Sequence, residues 1–382
     1  MLMSGSHSVS LYFHIPFCTQ KCAYCHFYVI PDKDPFKIQL MEGFKAEWQQ
    51  WLPALQGKQV ATIYFGGGTP ALIGAPAIAE ILSWIKAALP FDSPNPEITI
   101  EANPENITRE MMAAYAVAGI NRVSIGVQTL DDKILTVLER IHNAQSAIDA
   151  IHLTADAGIK NISIDLMYDL PGQTLGIWQE TLETARQLPI THLSLYNLTI
   201  EPHTGFFKHQ EKIRKQLPNP EASLEMYEMA VSMLDEQGLK QYEISAFAKN
   251  QCVSRHNVGY WTGRPFLGFG PSAFSYWEGK RFRNVANLSK YCKALAQGRS
   301  PVDFSEELDP DAHRREMLAI QLRLKAGVDL AEFQVRYGKL EKITLDTLKY
   351  LEGQGLLQES GGTVCLTKRG ILFYDSVATE LI

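Results

Sequence analysis

The first half of the chain alternates short apolar runs with longer stretches of helical period. Strand-like runs cover Val9–Ile15, Val60–Phe65, Glu97–Glu101, Arg122–Val127, Asn161–Leu166 and His192–Leu198, with helix-period segments at 36–52, 76–89, 108–118, 144–157 and 174–187 between them. Apolar positions three and four apart mark the helices, and apolar runs of strand length mark the strands. Each crossover is long enough for a helix, so successive strands can run parallel. The strands read as near-continuous apolar runs, as expected where both faces are covered. The pattern predicts an α/β fold with six (β/α) units over residues 1–205, two short of a complete eight-unit TIM barrel. Such a partial (β/α)6 TIM-type barrel has a wide, open mouth.

The pattern changes after residue 205. Lys208–Lys215 is a charged segment expected to be exposed, followed by a helix at Glu221–Gln237, a strand at Tyr242–Ile244 and a stretch, 255–285, dense in glycine and aromatic side chains. We therefore set residues 206–299 apart as an extension. From 300 to 382 the order is helices near 310–325, 329–337 and 339–353, two short strands around Gly361-Gly362 and a final helix. That order is winged-helix-like, a smaller α+β domain at the C-terminus. Residues 309–382 carry 11 acidic against 10 basic side chains and no basic stripe, so a lid or packing role is expected rather than nucleic-acid binding.

Charge and composition narrow the classes. The net charge is −6, from 36 basic and 42 acidic residues, which again gives no footprint for a nucleic-acid partner. No apolar stretch approaches the roughly 20 residues needed to span a bilayer, so no transmembrane segment is expected and only peripheral membrane contact is left open. The segment Met1–His7 lacks the basic and apolar regions of a secretion signal, and a cytoplasmic location is expected. Three of the six cysteines are scattered: Cys252, Cys292 and Cys365 are expected to be buried, reduced thiols, with no disulfide framework.

The other three, Cys18, Cys22 and Cys25, fall directly after the first strand with the spacing C-x3-C-x2-C. A [4Fe–4S] cubane normally takes four thiolates, so three leave one iron open to a small chelating molecule. The spacing alone also fits three unrelated thiols or part of a zinc site. Active groups on parallel β/α folds gather at the C-terminal ends of strands, and further candidates stand there. Gly66-Gly67-Gly68-Thr69-Pro70 follows the second strand, where glycines let backbone approach a ligand. Glu101 follows the third strand, Gln128 ends the fourth, Arg140 lies in Leu138-Glu139-Arg140-Ile141-His142, and Asp165 is near the end of the fifth.

With an aromatic, Tyr24, before the third cysteine, the motif resembles that of the radical S-adenosylmethionine (SAM) superfamily. His14-Ile15-Pro16-Phe17-Cys18, Phe65-Gly66-Gly67-Gly68-Thr69-Pro70 and Ile164-Asp165-Leu166 are similar to words of its HemN/HemW group, the oxygen-independent coproporphyrinogen oxidases and their haem-chaperone relatives. The resemblance implies the same partial barrel, a [4Fe–4S] cluster on Cys18, Cys22 and Cys25, and SAM chelating the open iron. It further implies that Gly67, Gly68 and Thr69 cradle the SAM amino group, that Glu101, Gln128, Arg140 and Asp165 contact SAM, and that Tyr12 and Tyr24 flank the cluster.

His256-Asn257-Val258-Gly259-Tyr260-Trp261 resembles the H-N-x-x-Y-W signature of the haem-chaperone branch. That implies haem as a ligand and its delivery to haem-accepting proteins, respiratory haem enzymes among them. Imidazole is a standard axial haem ligand. Two readings of His256 stay open: an axial ligand, or part of a structural loop in which Tyr260 and Trp261 are core. Phe27 stands where the oxidases carry a further cysteine, and Cys18 comes sooner in the chain than their cluster does. His26 stands where chaperone relatives more often have Asp. The resemblance thus implies a haem chaperone, with two alternatives: a coproporphyrinogen III dehydrogenase that takes hydrogen with a 5′-deoxyadenosyl radical, or an iron–sulfur protein without a haem function.

Overall fold

The computed structural model describes residues 7–382; Met1–Ser6, most of the segment read as lacking a secretion signal, lie outside the described residues. The six expected units form in order: β1 (Ser8–Ile15), α1 (Asp34–Leu55), β2 (Gln59–Gly67), α2 (Ala75–Ala88), β3 (Glu97–Ala102), α3 (Arg109–Ala118), β4 (Arg122–Gln128), α4 (Ala144–Asp156), β5 (Asn161–Tyr168), α5 (Leu175–Ala185) and β6 (His192–Asn197). Local chemistry sets the helix ends. Thr108 accepts a bond from the Met111 amide at the start of α3, Gly119 at φ 113° ends it, and Asn143 with Ser146 forms a capping box on α4.

Strands β1 to β6 are all parallel neighbours, in the order of a partial barrel. The chain after residue 205 then lengthens the same sheet at both edges and stays in it as far as Glu307, so the extension runs past the boundary expected at 299. After α6 (Pro220–Glu236), β7 (Lys240–Glu243) and β8 (Ala246–Ala248) add antiparallel strands beyond β6. After α7 (Arg255–Trp261), β9 (Phe266–Phe269) returns to pair parallel with β1, a seventh parallel strand. Strands β10 (Phe274–Trp277), β11 (Lys280–Asn284) and, after α8 (Leu288–Ala296), β12 (Val302–Glu307) extend that edge, making twelve strands.

The strands do alternate, contrary to the near-continuous apolar reading. On β1 the side chains of Val9, Leu11, Phe13 and Ile15 join the main hydrophobic core, where Phe13 stacks on Phe65 and Phe269 and meets Phe44 of α1 edge-on. The intervening positions carry polar groups that bond across the sheet: Thr62 to Ser10, Tyr64 to Glu101, Ser124 to Asp165, and Ser163 to His192. Successive side chains point to opposite faces of a strand. The barrel is therefore apolar toward its helices and polar within. The apolar set is buried. Of the polar set, Ser10, Thr62, Ser124, Ser163 and His192 are buried and Tyr64, Glu101 and Asp165 half-buried, which is why these interspersed polar residues do not register as a solvent-facing stripe.

The C-terminal unit has its own core, built around Met317, Leu318, Phe333, Leu351 and Val377. Its elements are α9 (Pro310–Gln321), β13 (Val328–Asp329), α10 (Leu330–Tyr337), α11 (Lys342–Gly353), β14 (Leu357–Ser360), β15 (Thr363–Leu366) and α12 (Tyr374–Leu381), with a three-stranded sheet in the order β13-β15-β14. It is clamped to the end of α7. Arg336 donates from both terminal nitrogens to the Thr262 and Gly263 carbonyls, and Tyr337 also donates to the Thr262 carbonyl.

Lys208–Lys215 is exposed as expected apart from Gln210 and Ile213, and the expected burial of the scattered cysteines is corrected. The charged segment is folded into short helices at Gly205–Lys208 and Gln210–Arg214, and Phe206 and Ile213 pack in a satellite core with Ala23 of the cysteine loop. Charge marks its outer face only. Cys252, Cys292 and Cys365 are free thiols as expected, but each is half-buried rather than buried.

Candidate iron–sulfur and SAM site at the barrel mouth

The cysteine loop leaves β1 and is gripped from several sides. The Thr69 amide donates to the Phe17 carbonyl at 2.6 Å, the Ala23 amide to Leu138 O at 3.3 Å, and the Phe206 amide to Ala23 O at 2.9 Å. Gly68 has to be glycine: a Cβ there would stand 2.6 Å from the Phe17 carbonyl oxygen and 3.1 Å from Cys18 Sγ. Gly67 adopts φ 122°, the region that favours glycine, and its added Cβ would strike the His14 ring.

One polar chain links two of the thiols. Asn103 Nδ2 donates to Thr69 Oγ1 at 3.0 Å, and the Thr69 hydroxyl faces Cys18 Sγ, 3.6 Å away. Asn103 Oδ1 accepts from Arg140 Nη2 at 3.0 Å, and Arg140 Nη1 donates to Cys22 Sγ at 3.4 Å. Arg140 also donates to the Gly126 carbonyl at 2.8 Å. Neighbouring thiols add to a rise in pKa at Cys18 and Cys25. Burial pushes Cys18 up to about 11, against the Thr69 hydrogen bond, and raises Cys25 against the Phe27 amide.

This donor set fits a thiolate-held cluster. The thiols are free, they share one loop, and a guanidinium and a hydroxyl face them where charge on sulfur would need offsetting. Among the described residues no three His, Cys, Asp or Glu side chains are gathered closely enough to hold a single metal ion.

The other predicted residues surround the same mouth. Glu101 accepts from the Tyr64 hydroxyl at 2.8 Å and the Gly67 amide at 3.0 Å, and burial raises its pKa to about 7. With the Gly68 amide on Ile15 O and that of Thr69 on Phe17 O, the glycine loop's amides are spent inside the protein. What the loop can offer an ammonium group is carbonyl oxygen. Gln128 sits at a bulge with φ 68°, its amide nitrogen 2.9 Å from where a Gly126 Cβ would stand. Asp165 is half-buried beside Ser124 and Ser194, and desolvation of its carboxylate raises its pKa. Tyr12 donates to or accepts from His14 Nδ1 at 3.0 Å and stacks on Tyr64. Tyr24 lies over Phe206, close to Cys22 and Arg140.

Sequence reasoning misses Asn103, which bridges Thr69 and Arg140. The available signal is strand period: it is two residues beyond Glu101 and so shares its face.

His256 is not brought to the mouth. It lies in α7, a helix rather than a loop, 1% exposed, one layer beneath Tyr12 and Tyr64. Thr62 donates to Ser10 Oγ, so His256 Nδ1–H donates to Thr62 at 2.8 Å and Nε2 accepts from the Tyr260 hydroxyl at 2.7 Å. Its amide and that of Arg255 both donate to the Glu97 carboxylate, at 2.9 and 2.8 Å. Burial lowers its pKa to about 3. A Cβ on Gly259 of the same motif would stand 2.9 Å from Arg264 Nη1, so the guanidinium would have to shift.

Comparison with known proteins agrees with this architecture. The family model described as the radical SAM superfamily matches residues 12–185, and that of the HemN C-terminal domain matches 308–373. A Bacillus subtilis (strain 168) protein named heme chaperone HemW is 34% identical over 369 residues, covering 96% of this chain and 97% of that one. A protein of the same name from Escherichia coli (strain K12) is 32% identical over 374 residues, covering 97% of each. The solved structure of coproporphyrinogen III oxidase (HemN) from Escherichia coli, titled a radical SAM enzyme, superimposes with a TM-score of 0.85 at 23% identity, over 98% of this chain and 90% of that one. That likeness is one of fold. Taken with the near-full-length likeness in sequence, it means that this chain belongs to the heme chaperone HemW family of the radical SAM superfamily.

Proposed function

We propose that this chain is a cytoplasmic haem chaperone that carries a [4Fe–4S] cluster on Cys18, Cys22 and Cys25, holds SAM at the strand ends around it, and hands haem to haem-dependent proteins. The observation that carries the first part is the continuous chain from Cys18 through Thr69, Asn103 and Arg140 to Cys22, which joins the cysteine loop to three neighbouring strand ends. The relatives' printed name supplies the haem part. The cluster, when bound, supplies an electron and an open iron position for a chelating amino acid.

The chain's own residues do the positioning. Arg140 and Thr69 face sulfur, Glu101 fixes the glycine loop through the Gly67 amide, and Asp165 and Gln128 supply polar groups around the ligand volume. No helix among the described residues is long and apolar enough to cross a membrane, so contact with a membrane-bound recipient would be peripheral.

Anaerobic reconstitution tests this reading. About four irons per chain are expected, the content of a cubane. Cys18→Ala, Cys22→Ala and Cys25→Ala should abolish the cluster, whereas Cys252→Ala, Cys292→Ala and Cys365→Ala should keep it. Full iron content in Cys22→Ala would refute the ligand set. SAM should perturb the reduced cluster's electron paramagnetic resonance spectrum, and Gly68→Val should suppress that response. The competing reading, a coproporphyrinogen III dehydrogenase, is favoured by the oxidase-like fold. It predicts many turnovers of coproporphyrinogen III, whereas Phe27, exposed where the oxidases have cysteine, predicts none.

A further inference from the structure

A cavity of about 530 Å³ opens between the barrel mouth, the β9–β11 edge and the C-terminal domain. Its size falls in the range of roughly 300–1,000 Å³ usual for small-molecule sites. The walls are mostly apolar and aromatic, with Trp261, Phe266, Phe274 and Tyr276 on one side and Met317 brought in from α9. Aromatic faces suit a flat, conjugated macrocycle. Arg264 also lines the cavity, and a guanidinium group suits a carboxylate substituent, whereas Arg281 on the same wall is already paired with Glu306 and Glu316.

Two imidazoles line the cavity, and they differ. His14 is buried, bonded through Nδ1 to Tyr12 and facing the Tyr28 carbonyl through Nε2. His26 is exposed, its ring 4.6 Å from that of Phe27, and it makes no hydrogen bond with any described residue. Phe27 is itself 52% exposed on the same rim. His256 does not line the cavity; Tyr260 and Trp261 of its motif do, and Tyr260 occupies the His256 Nε2 lone pair.

We infer that haem enters this cavity with His26, rather than His256, as the protein ligand to its iron. The inference rests on the haem-chaperone reading above and specifies the site. The H-N-x-x-Y-W helix then has a different role, in which Tyr260 and Trp261 form part of the wall and His256 holds that wall in place from beneath.

The test is titration of the cluster-loaded full chain with haemin, followed by absorption and resonance Raman spectroscopy. The variants are His26→Ala, His26→Gly and, as a surface control on α4, His152→Ala. His26→Ala should bind haem at least tenfold more weakly and lose the imidazole-ligated spectrum. Free imidazole should restore that spectrum in His26→Gly, and His152→Ala should match the wild type. A His26 variant that loses cluster iron is compared with wild type from which the cluster has been chelated. If His26→Ala keeps the wild-type affinity and spectrum, the ligand assignment is overturned while the chaperone reading stands. If the wild-type chain takes up no stoichiometric haem, both fall.

Discussion

The barrel interior has two layers that handle polar groups in opposite ways. Near the N-terminal ends of the strands, Ser10, Thr62 and His256 are fully engaged with one another, with Tyr260 and, through the α7 amides, with Glu97. At the C-terminal ends the groups are only partly spent. Thr69 and Arg140 each reach a thiol at long range, and Glu101 accepts two hydrogen bonds where a carboxylate has room for more. Buried polar groups that satisfy each other rigidify a fold, while residual capacity is what a ligand can use. The lower layer is scaffold and the upper layer is the working surface. A family signature, here the H-N-x-x-Y-W run, can belong to the scaffold and still identify the family.

The contrast predicts different failures. The largest effect is expected in the lower layer. His256→Ala strips partners from Thr62 and Tyr260 and leaves a void, and each orphaned buried group costs about 1–3 kcal/mol. A loss of about 3 kcal/mol in unfolding free energy is expected, read from the denaturant midpoint, with the cluster spectrum of the folded fraction unaltered. Glu97→Ala follows. It orphans two amides at the start of α7, and a loss of about 2 kcal/mol is expected by analogy with a lost helix cap. If either substitution abolished the cluster while leaving stability intact, the division into layers would be wrong.

The layers should also part company with pH. Glu101 has its folded pKa raised from 4.5 to about 7, chiefly by burial, so its contribution is complete below pH 4.5 and is lost as pH rises through 7. His256 has its folded pKa lowered from 6.5 to about 3, also by burial, so its contribution is complete above pH 6.5 and is lost as pH falls toward 3. Glu101→Gln should therefore remove an alkaline limb on the order of 1–2 kcal/mol and leave the acid limb untouched. Parallel stability profiles for wild type and Glu101→Gln between pH 5 and 8 would refute this assignment.

The upper layer is more legible in the sequence than the lower, for physical reasons. Groups at strand ends sit in short words whose types are fixed by chemistry: thiols for iron, glycines where φ is positive or backbone approaches closely. Gly67 and Gly68 are legible for that reason. Asn103 escapes because an asparagine after a strand is ordinarily a turn residue. The lower layer depends on pairing between residues 194 apart in the chain, Thr62 with His256, which no local pattern encodes. The seventh parallel strand is hidden for a similar reason. Phe266–Phe269 is only four residues long and lies in a glycine-rich stretch, and it becomes a strand by docking on β1. Propensity is a weak guide where such tertiary pairing decides.

The smallest expected effect gives the finest test of the division. Thr69→Val keeps the shape of the side chain and removes its oxygen. Asn103 Nδ2 loses an acceptor and Cys18 Sγ loses the hydroxyl facing it. The stability loss should be about 1 kcal/mol, the usual worth of one net hydrogen bond, because Asn103 remains held by Arg140 and the mouth is open to water. The cluster should still assemble, since all three thiols remain. Its reduction potential should fall, because hydrogen bonds to sulfur favour the more negatively charged reduced state. Potentiometry on the two reconstituted proteins reads the shift directly. An unchanged potential with a stability loss as large as that of His256→Ala would move Thr69 into the scaffold and dissolve the contrast between the layers at its most sensitive point.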